Sequence, residues 1–539
     1  MNRRSLLLGS LSLTAAAAGL AACSPGESSG GSGGTGGQAA AEAPAYIPFP
    51  GVTPDGEATA DGVMAMFKTF PAERPTYETS VPEGIEPVTI LSQTDGAAPP
   101  VLAENRYWQE LNKQLGTELD FNMVPLADLA AKQAVAIAGD DGPDLMQVKG
   151  RKSIPQMSQM LEAKFADLTD ELSGDAISKY PGLANIPTNS WQAVMFNGRI
   201  MGVPQHTGAV GDILFTRGDV FDELGVSPAV SDENEFIELC KALTEPGKRW
   251  AFNSATTIYP YFRECLGVAF EWDTDDTGRL TYYAETEGAR QALEFTARLW
   301  KEGYIHPDAF GGAGAYVEWF ASGTTVMNRG GFRFADIVQN ANAESNPELR
   351  VGMIKPFGFA GATPTKHLTN GTAGMTAIKK GSPERVQELL SVLNFLSPPF
   401  GTEQSLLRNY GVEGEQFEFV DGEPVVNEKG AAELRLPLSY TARPPQVLYS
   451  PGRPESAQEQ YDYQVATVPT GVLNAVDSLS SQTDERTGTA ISRVLNDVRD
   501  SVIQGRATLA DWDEAVENWR KSGGDKIREE YTADRDANQ

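Results

Sequence analysis

Gly139-Asp-Asp-Gly-Pro-Asp-Leu-Met-Gln-Val148 is the stretch on which the fold turns. Gly142-Pro143 supplies a sharp turn, and Asp144 opens an apolar run of the length of a buried strand. Upstream, residues 126–138 read as a helix, 118–124 as a strand, 105–115 as an amphipathic helix and Val88-Thr-Ile-Leu-Ser92 as a strand. Strand, helix, strand, helix, strand is the order of a parallel sheet in an α/β layer fold. Downstream, Gly202-Val203-Pro204 closes one strand and Ile213-Leu-Phe-Thr-Arg217 opens another. Residues 486–503 and 509–519 carry apolar side chains at helical spacing, with breaks expected at Gly505 and Gly523-Gly524.

The N-terminus carries a different message. Met1-Asn-Arg-Arg4 is basic, residues 5–20 are apolar, and Ala21-Ala22-Cys23 is a small-residue junction. These are the three parts of a secretory signal, and Leu20-Ala-Ala-Cys23 resembles the lipobox of bacterial lipoproteins. That likeness implies a signal peptide over 1–22, diacylation of Cys23, and a chain anchored to the membrane through its N-terminal lipid. About 16 apolar residues are too few for a spanning helix, which needs ~20. Arg3-Arg4 leaves both the general and the twin-arginine export routes open. Residues 24–38 are mostly Gly and Ser, a flexible linker. Its GxSxG and GxGxxG matches, at Gly26 and Gly31, lack the strand and helix that such motifs need. Residues 39–86, rich in Pro, Ala and Gly, read as an extended arm, so 23–85 is anchor, linker and arm.

At 539 residues the chain exceeds one core, so two lobes are expected. The net charge of −29 repels phosphate backbones and argues against nucleic-acid binding. Three widely spaced histidines without a cysteine cluster give no zinc site, and no cofactor is indicated. Cys240 and Cys265 sit on apolar helix faces as buried thiols, while export also permits a disulfide between them.

Several blocks resemble the family 1 extracellular solute-binding proteins of carbohydrate ABC importers, maltodextrin-binding proteins and a larger lipoprotein branch among them. Gly139–Val148 resembles the GDGPDI segment. Gly198-Arg-Ile-Met-Gly-Val-Pro204 is similar to the strand that leads into the hinge, and Leu214–Gly225 to the segment after it. Trp319–Met327 resembles FxxGKAAM, Tyr410-Gly-Val-Glu-Gly414 the YGxEG block, and Gly505–Asp513 the start of a C-terminal helix. Their shared order implies a two-lobed periplasmic-binding-protein-like α/β fold, with a hinge, an interlobe cleft and a helical C-terminal region. Lobe 1 is expected at 86–205 plus 366–400, lobe 2 at 206–365, and 401–539 contributing to both. The chain departs from the family at Phe215-Thr-Arg-Gly-Asp219 and at Arg151-Lys152, which puts maltose specificity in doubt.

The resemblance implies a monomeric binder on the extracellular face of the membrane that captures an oligosaccharide and delivers it to a permease. Sugar rings need flat aromatic faces and convergent polar groups. Asp95 follows the first strand, Arg151 the strand after Asp144, and His206 the hinge strand. Tyr259 and Tyr261 match an aromatic cluster that stacks sugar in the family. Arg329 and Phe332 follow the 324–327 strand, and Trp191, Trp272 and Tyr410 complete the expected ligand set. Asp273-Thr-Asp-Asp-Thr-Gly278, beside Trp272, lacks the distal Glu of a calcium loop and reads as a hairpin turn. A peptide-binding lipoprotein shares export, tether and hinge. A secreted carbohydrate-active enzyme needs two facing carboxylates; no placed catalytic motif supports one, and no enzyme is expected.

Overall fold

The computed structural model describes residues 41–537, apart from 60, 78, 80, 95, 140, 152, 155 and 311–314. The signal peptide, Cys23, the linker and Asp95 lie outside the described residues. No helix among the described residues is long and apolar enough to cross a membrane.

The 88–149 run folds as its periodicity dictates. Val88–Thr94 pairs in parallel with Leu119–Pro125 on one side and Leu145–Lys149 on the other. Between them, the Arg106–Leu115 helix is capped by Asn105, whose side chain accepts from the Trp108 amide, and stops at Gly116 in left-handed backbone. Its buried residues, Tyr107, Trp108, Leu111 and Leu115, recur at helical spacing. Trp108 also donates through Nε1 to the Leu119 carbonyl at 3.1 Å, tying helix to strand. Thr372–Ile378 joins antiparallel to Leu145–Lys149, and Val203–His206 closes this five-stranded sheet.

A second sheet has the order Val351–Ile354, Asp212–Arg217, Thr325–Gly331, Trp250–Phe252. Each sheet has its own core, so the chain is two-lobed. The first core extends to Leu407, Leu436, Leu438 and Ala442; the second takes in Trp512, Trp519, Ile527 and Tyr531. The C-terminal helices Thr489–Ile503 and Leu509–Trp519 are separated at Gly505, with Thr508 and Asp511 forming a capping box. The second break also falls where it is expected: Gly523, with non-helical backbone at φ 147°, kinks the chain between Leu509–Trp519 and Asp525–Ala537.

The chain crosses between the sheets after His206 and returns through Lys366–His367. Val210 bridges Leu368, and Lys366–His367 pairs in parallel with Gly471–Val472. Here a buried charge cluster forms. The Glu264 carboxylate accepts from Lys366 Nζ at 2.5 Å and from the His367 amide at 3.0 Å, with an Arg329 guanidinium nitrogen at 3.5 Å. Burial works against the charge of Glu264, but Lys366 and Arg329 overcome it and hold the carboxyl below its usual range. The 273–278 segment is a hairpin turn between Trp272–Thr274 and Leu280–Tyr282. Cys240 and Cys265 are free, buried thiols, and burial raises the pKa of both.

Candidate functional site

A cavity of about 400 Å³ lies between the lobes. Phe332 and Arg333, in the turn after Thr325–Gly331, and Asp336 and Asn340, on the helix Phe334–Ala341 that follows, line it from one side. Phe400, Ser405, Arg408, Asn409 and Tyr410 face them from the other lobe, and the 444–449 segment lies along one edge. Phe332 and Tyr410 thus present aromatic surface from opposite walls. Tyr410 is held edge-on against Phe70, with centroids 5.7 Å apart, and Phe400 packs on Tyr449 at 5.2 Å. The Tyr449 hydroxyl donates to the Glu423 carboxylate.

The polar groups here have distinct standing. Arg408 is committed to the fold, donating to the carbonyls of Leu396 at 2.9 Å and Ala442 at 2.7 Å, and burial lowers its pKa to about 10. Asp336 accepts from Ser450 at 2.6 Å, and burial raises its carboxyl above the usual range. Arg333 is exposed and brings positive charge to the rim. Such a wall can stack a sugar ring and exchange hydrogen bonds with its hydroxyls.

An adjoining cavity of about 330 Å³ shares Phe400 and residues 445–447 with the first, and His206 lines it. Ser190 has one hydroxyl proton, which goes to the Gly371 carbonyl at 2.7 Å. The 2.9 Å contact from Ser190 Oγ to His206 Nδ1 is then donated by the imidazole, leaving Nε2 an acceptor. Burial and the Arg443 charge push the His206 pKa down to about 3, so the ring is neutral.

Arg151 lies on a third cavity, of about 380 Å³, which also spans the lobes: Gly150, Arg151 and Ser153 of the first face Glu271, Asp477, Glu485 and Tyr531 on the side of the second core. Its guanidinium stacks over Phe196 at 4.1 Å and donates to the Met195 carbonyl. Burial lowers its pKa to about 10, against the pull of nearby carboxylates.

The remaining expected ligand residues are occupied elsewhere. Tyr259 and Tyr261 are each 1% exposed, in the second core, with their hydroxyls on the Ala289 and Lys355 carbonyls. Their helix, Ala255–Cys265, is so deeply set that both rings become packing. Trp272 is buried against Tyr282 and Trp519, and Trp191 is buried in the first core. Arg329 is buried too, paired with Asp212 Oδ2 at 2.6 Å. In this arrangement these five side chains hold the lobes and hinge instead of facing the cavity. Sequence reading missed Arg333, Asp336, Phe400 and Tyr449; the one available signal was Arg333 directly following Phe332.

The arrangement defines a fold class: two α/β lobes with a cavity between them. Residues 107–397 match the family described as bacterial extracellular solute-binding protein, and the chain belongs to it. Among its relatives in Bacillus subtilis (strain 168), the polygalacturonan/rhamnogalacturonan-binding protein YtcQ is 23% identical, over 79% of this chain and 87% of its own. Lipoprotein LipO is 24% identical, over 77% of this chain and 86% of its own. The fold is similar to that of an HMO-binding, ABC-transporter-associated solute-binding protein from Bifidobacterium longum infantis. Its TM-score is 0.62 at 13% identity, covering 83% of this chain and 98% of that one.

Proposed function

We propose that the chain is a lipid-anchored, extracellular solute-binding protein that captures an oligosaccharide between its lobes and delivers it to an ABC-importer permease. The observation that carries this reading is the pair Phe332 and Tyr410, which face one cavity from opposite lobes amid polar side chains. Closure on a ring between two such walls is a hinge motion, and His206, at the end of the Val203–His206 hinge strand, lines the adjoining cavity. The relatives' ligands support a carbohydrate, LipO supports the lipid on Cys23, and the transporter-associated neighbour supports delivery to a permease. Phe332, Tyr410 and His206 are the foremost ligand contacts, with Arg151 on a separate cavity; Asp95 is proposed on sequence grounds alone.

The test is thermal unfolding of the mature chain in detergent, against neutral oligosaccharides, uronic-acid oligomers and short peptides. A ligand at a thousand times its dissociation constant adds about 4 kcal/mol of stability. A shift with one oligosaccharide that remains intact supports the reading. A shift with peptides alone, or steady conversion of the sugar to products, contradicts it.

A further inference from the structure

Residues 41–77 form an arm that is stapled to both lobes. On the first lobe, the amides of Ala41, Ala45 and Ile47 donate to the carbonyls of Gly198, Gly174 and Ala184 at 2.8–3.0 Å. The arm then crosses to the second lobe. The Met64 amide donates to Gln464 Oε1 at 3.0 Å, and Val63 enters the core around Ile213, Phe215 and Tyr463. It returns at once. Met66 bridges Leu448, Phe67 packs on Phe400 with centroids 4.8 Å apart, and the Tyr77 hydroxyl donates to Asn394 Oδ1 at 2.6 Å.

This is no detachable tail. Val63, Met64, Met66, Phe67, Phe70 and Tyr77 are all at most 5% exposed. Their burial takes apolar surface out of water on both lobes and fixes the arm to the body. The arm also runs against the hinge: a Cβ at Gly208 would lie 2.8 Å from Met64 Sδ, and one at Gly62 2.5 Å from the Ala209 Cβ. Met64 and Met66 pack with Leu448 against Phe332, the aromatic of the interlobe cavity.

The side chains between those anchors face the 330 Å³ cavity. Tyr46, Phe49 and Glu57 line it from the arm, opposite Asn189, His206 and Gln446 of the body. We infer that the arm builds a second sugar subsite there, taking one neutral hexose unit of a chain whose neighbouring unit lies in the interlobe cavity. This rests on the oligosaccharide reading above. Tyr46 and Phe49 offer apolar faces, while the Glu57 carboxylate, the His206 Nε2 acceptor and the Asn189 and Gln446 amides suit hydroxyls. The lining contains no Lys or Arg among the described residues, so a uronate there meets the Glu57 carboxylate with no cation in the lining itself, Arg443 lying behind His206. The shared wall of Phe400 and residues 445–447 connects the two units.

The test is calorimetric titration of the mature chain in detergent with neutral malto- and cello-oligosaccharides of two to six units, and with oligogalacturonates of the same lengths. The wild type is compared with Glu57→Ala and Tyr46→Ala. Glu57 is exposed and its contact to Tyr461 runs through its main-chain oxygen, so Glu57→Ala keeps the arm docked even if Tyr46→Ala disturbs it. The expected result is a wild type that binds longer neutral members more tightly than the dimer. Both variants then lose at least tenfold on the longer members and keep the wild-type affinity for the dimer. Variants that match the wild type at every length overturn the arm subsite alone, as does an affinity that grows with length only for the oligogalacturonates. A wild type that binds no oligosaccharide removes the oligosaccharide reading and the subsite together.

Discussion

Tyr261 and Phe332 are both aromatic residues of the second lobe, and the molecule uses them in opposite ways. Tyr261 is enclosed at 1% exposure, with Phe236, Phe262 and Phe357 around it and its hydroxyl on a main-chain carbonyl. Phe332 is half-buried, resting on the arm's methionines while it lines the interlobe cavity. One ring holds the lobe together and the other is available to a ligand. An aromatic-rich helix contributes stability when its rings turn inward, whereas the turn at the end of a strand leaves Phe332 partly open on the cavity.

The largest expected effect sharpens that contrast. Tyr261→Ala leaves a cavity in the second core and costs about 3–5 kcal/mol of stability, read by denaturant unfolding. An unfolding midpoint close to the wild type would place the ring outside the core. Next comes Lys366→Ala, which strands the Glu264 carboxylate in the buried hinge cluster and costs about 3 kcal/mol. A smaller, pH-dependent effect distinguishes the buried histidines. His206 and His367 are both lowered to about 3 when folded, chiefly by burial, from an ordinary value of 6.5. Between those values the unfolded chain binds more protons, so stability is full above pH 6.5 and declines as the pH falls toward 3. His206→Gln, which takes up no proton, gives a shallower decline; an unchanged slope argues that His206 is already protonated in the fold. Last, Lys113→Ala, which removes an exposed pair with Glu110, changes stability by no more than about 0.5 kcal/mol.

Much of the fold was legible because burial imposes periodicity. Val88–Thr94, Leu119–Pro125 and Leu145–Lys149 form the parallel sheet that their apolar runs call for. Gly505 separates the C-terminal helices because its φ of 70° is left-handed backbone, which favours glycine. The site was less legible. Tyr259 and Tyr410 look alike as residue types, and only the depth of the helix Ala255–Cys265 tells that the first is core. Arg329 reads as a charge at a strand end, yet Asp212 and Glu264, distant in sequence, enclose it. Residues 41–77 have too little periodicity to reveal the side chains that they bury, because their partners, Tyr463, Leu448, Phe400 and Asn394 among them, are scattered through both lobes. Phe400 and Tyr449 gain their place only through the return of the C-terminal region to the cavity, which no local pattern encodes.

The most direct test of the central claim is calorimetric titration of wild type and Phe332→Ala with one oligosaccharide that raises the melting temperature. Saturable binding at one site is expected, weakened at least tenfold in the variant, about 1.4 kcal/mol, with the variant still cooperatively folded and its unfolding midpoint lowered far less than that of Tyr261→Ala. Equal affinity in the two proteins, or a weakening matched by loss of the fold, contradicts a ligand site on the Phe332 wall.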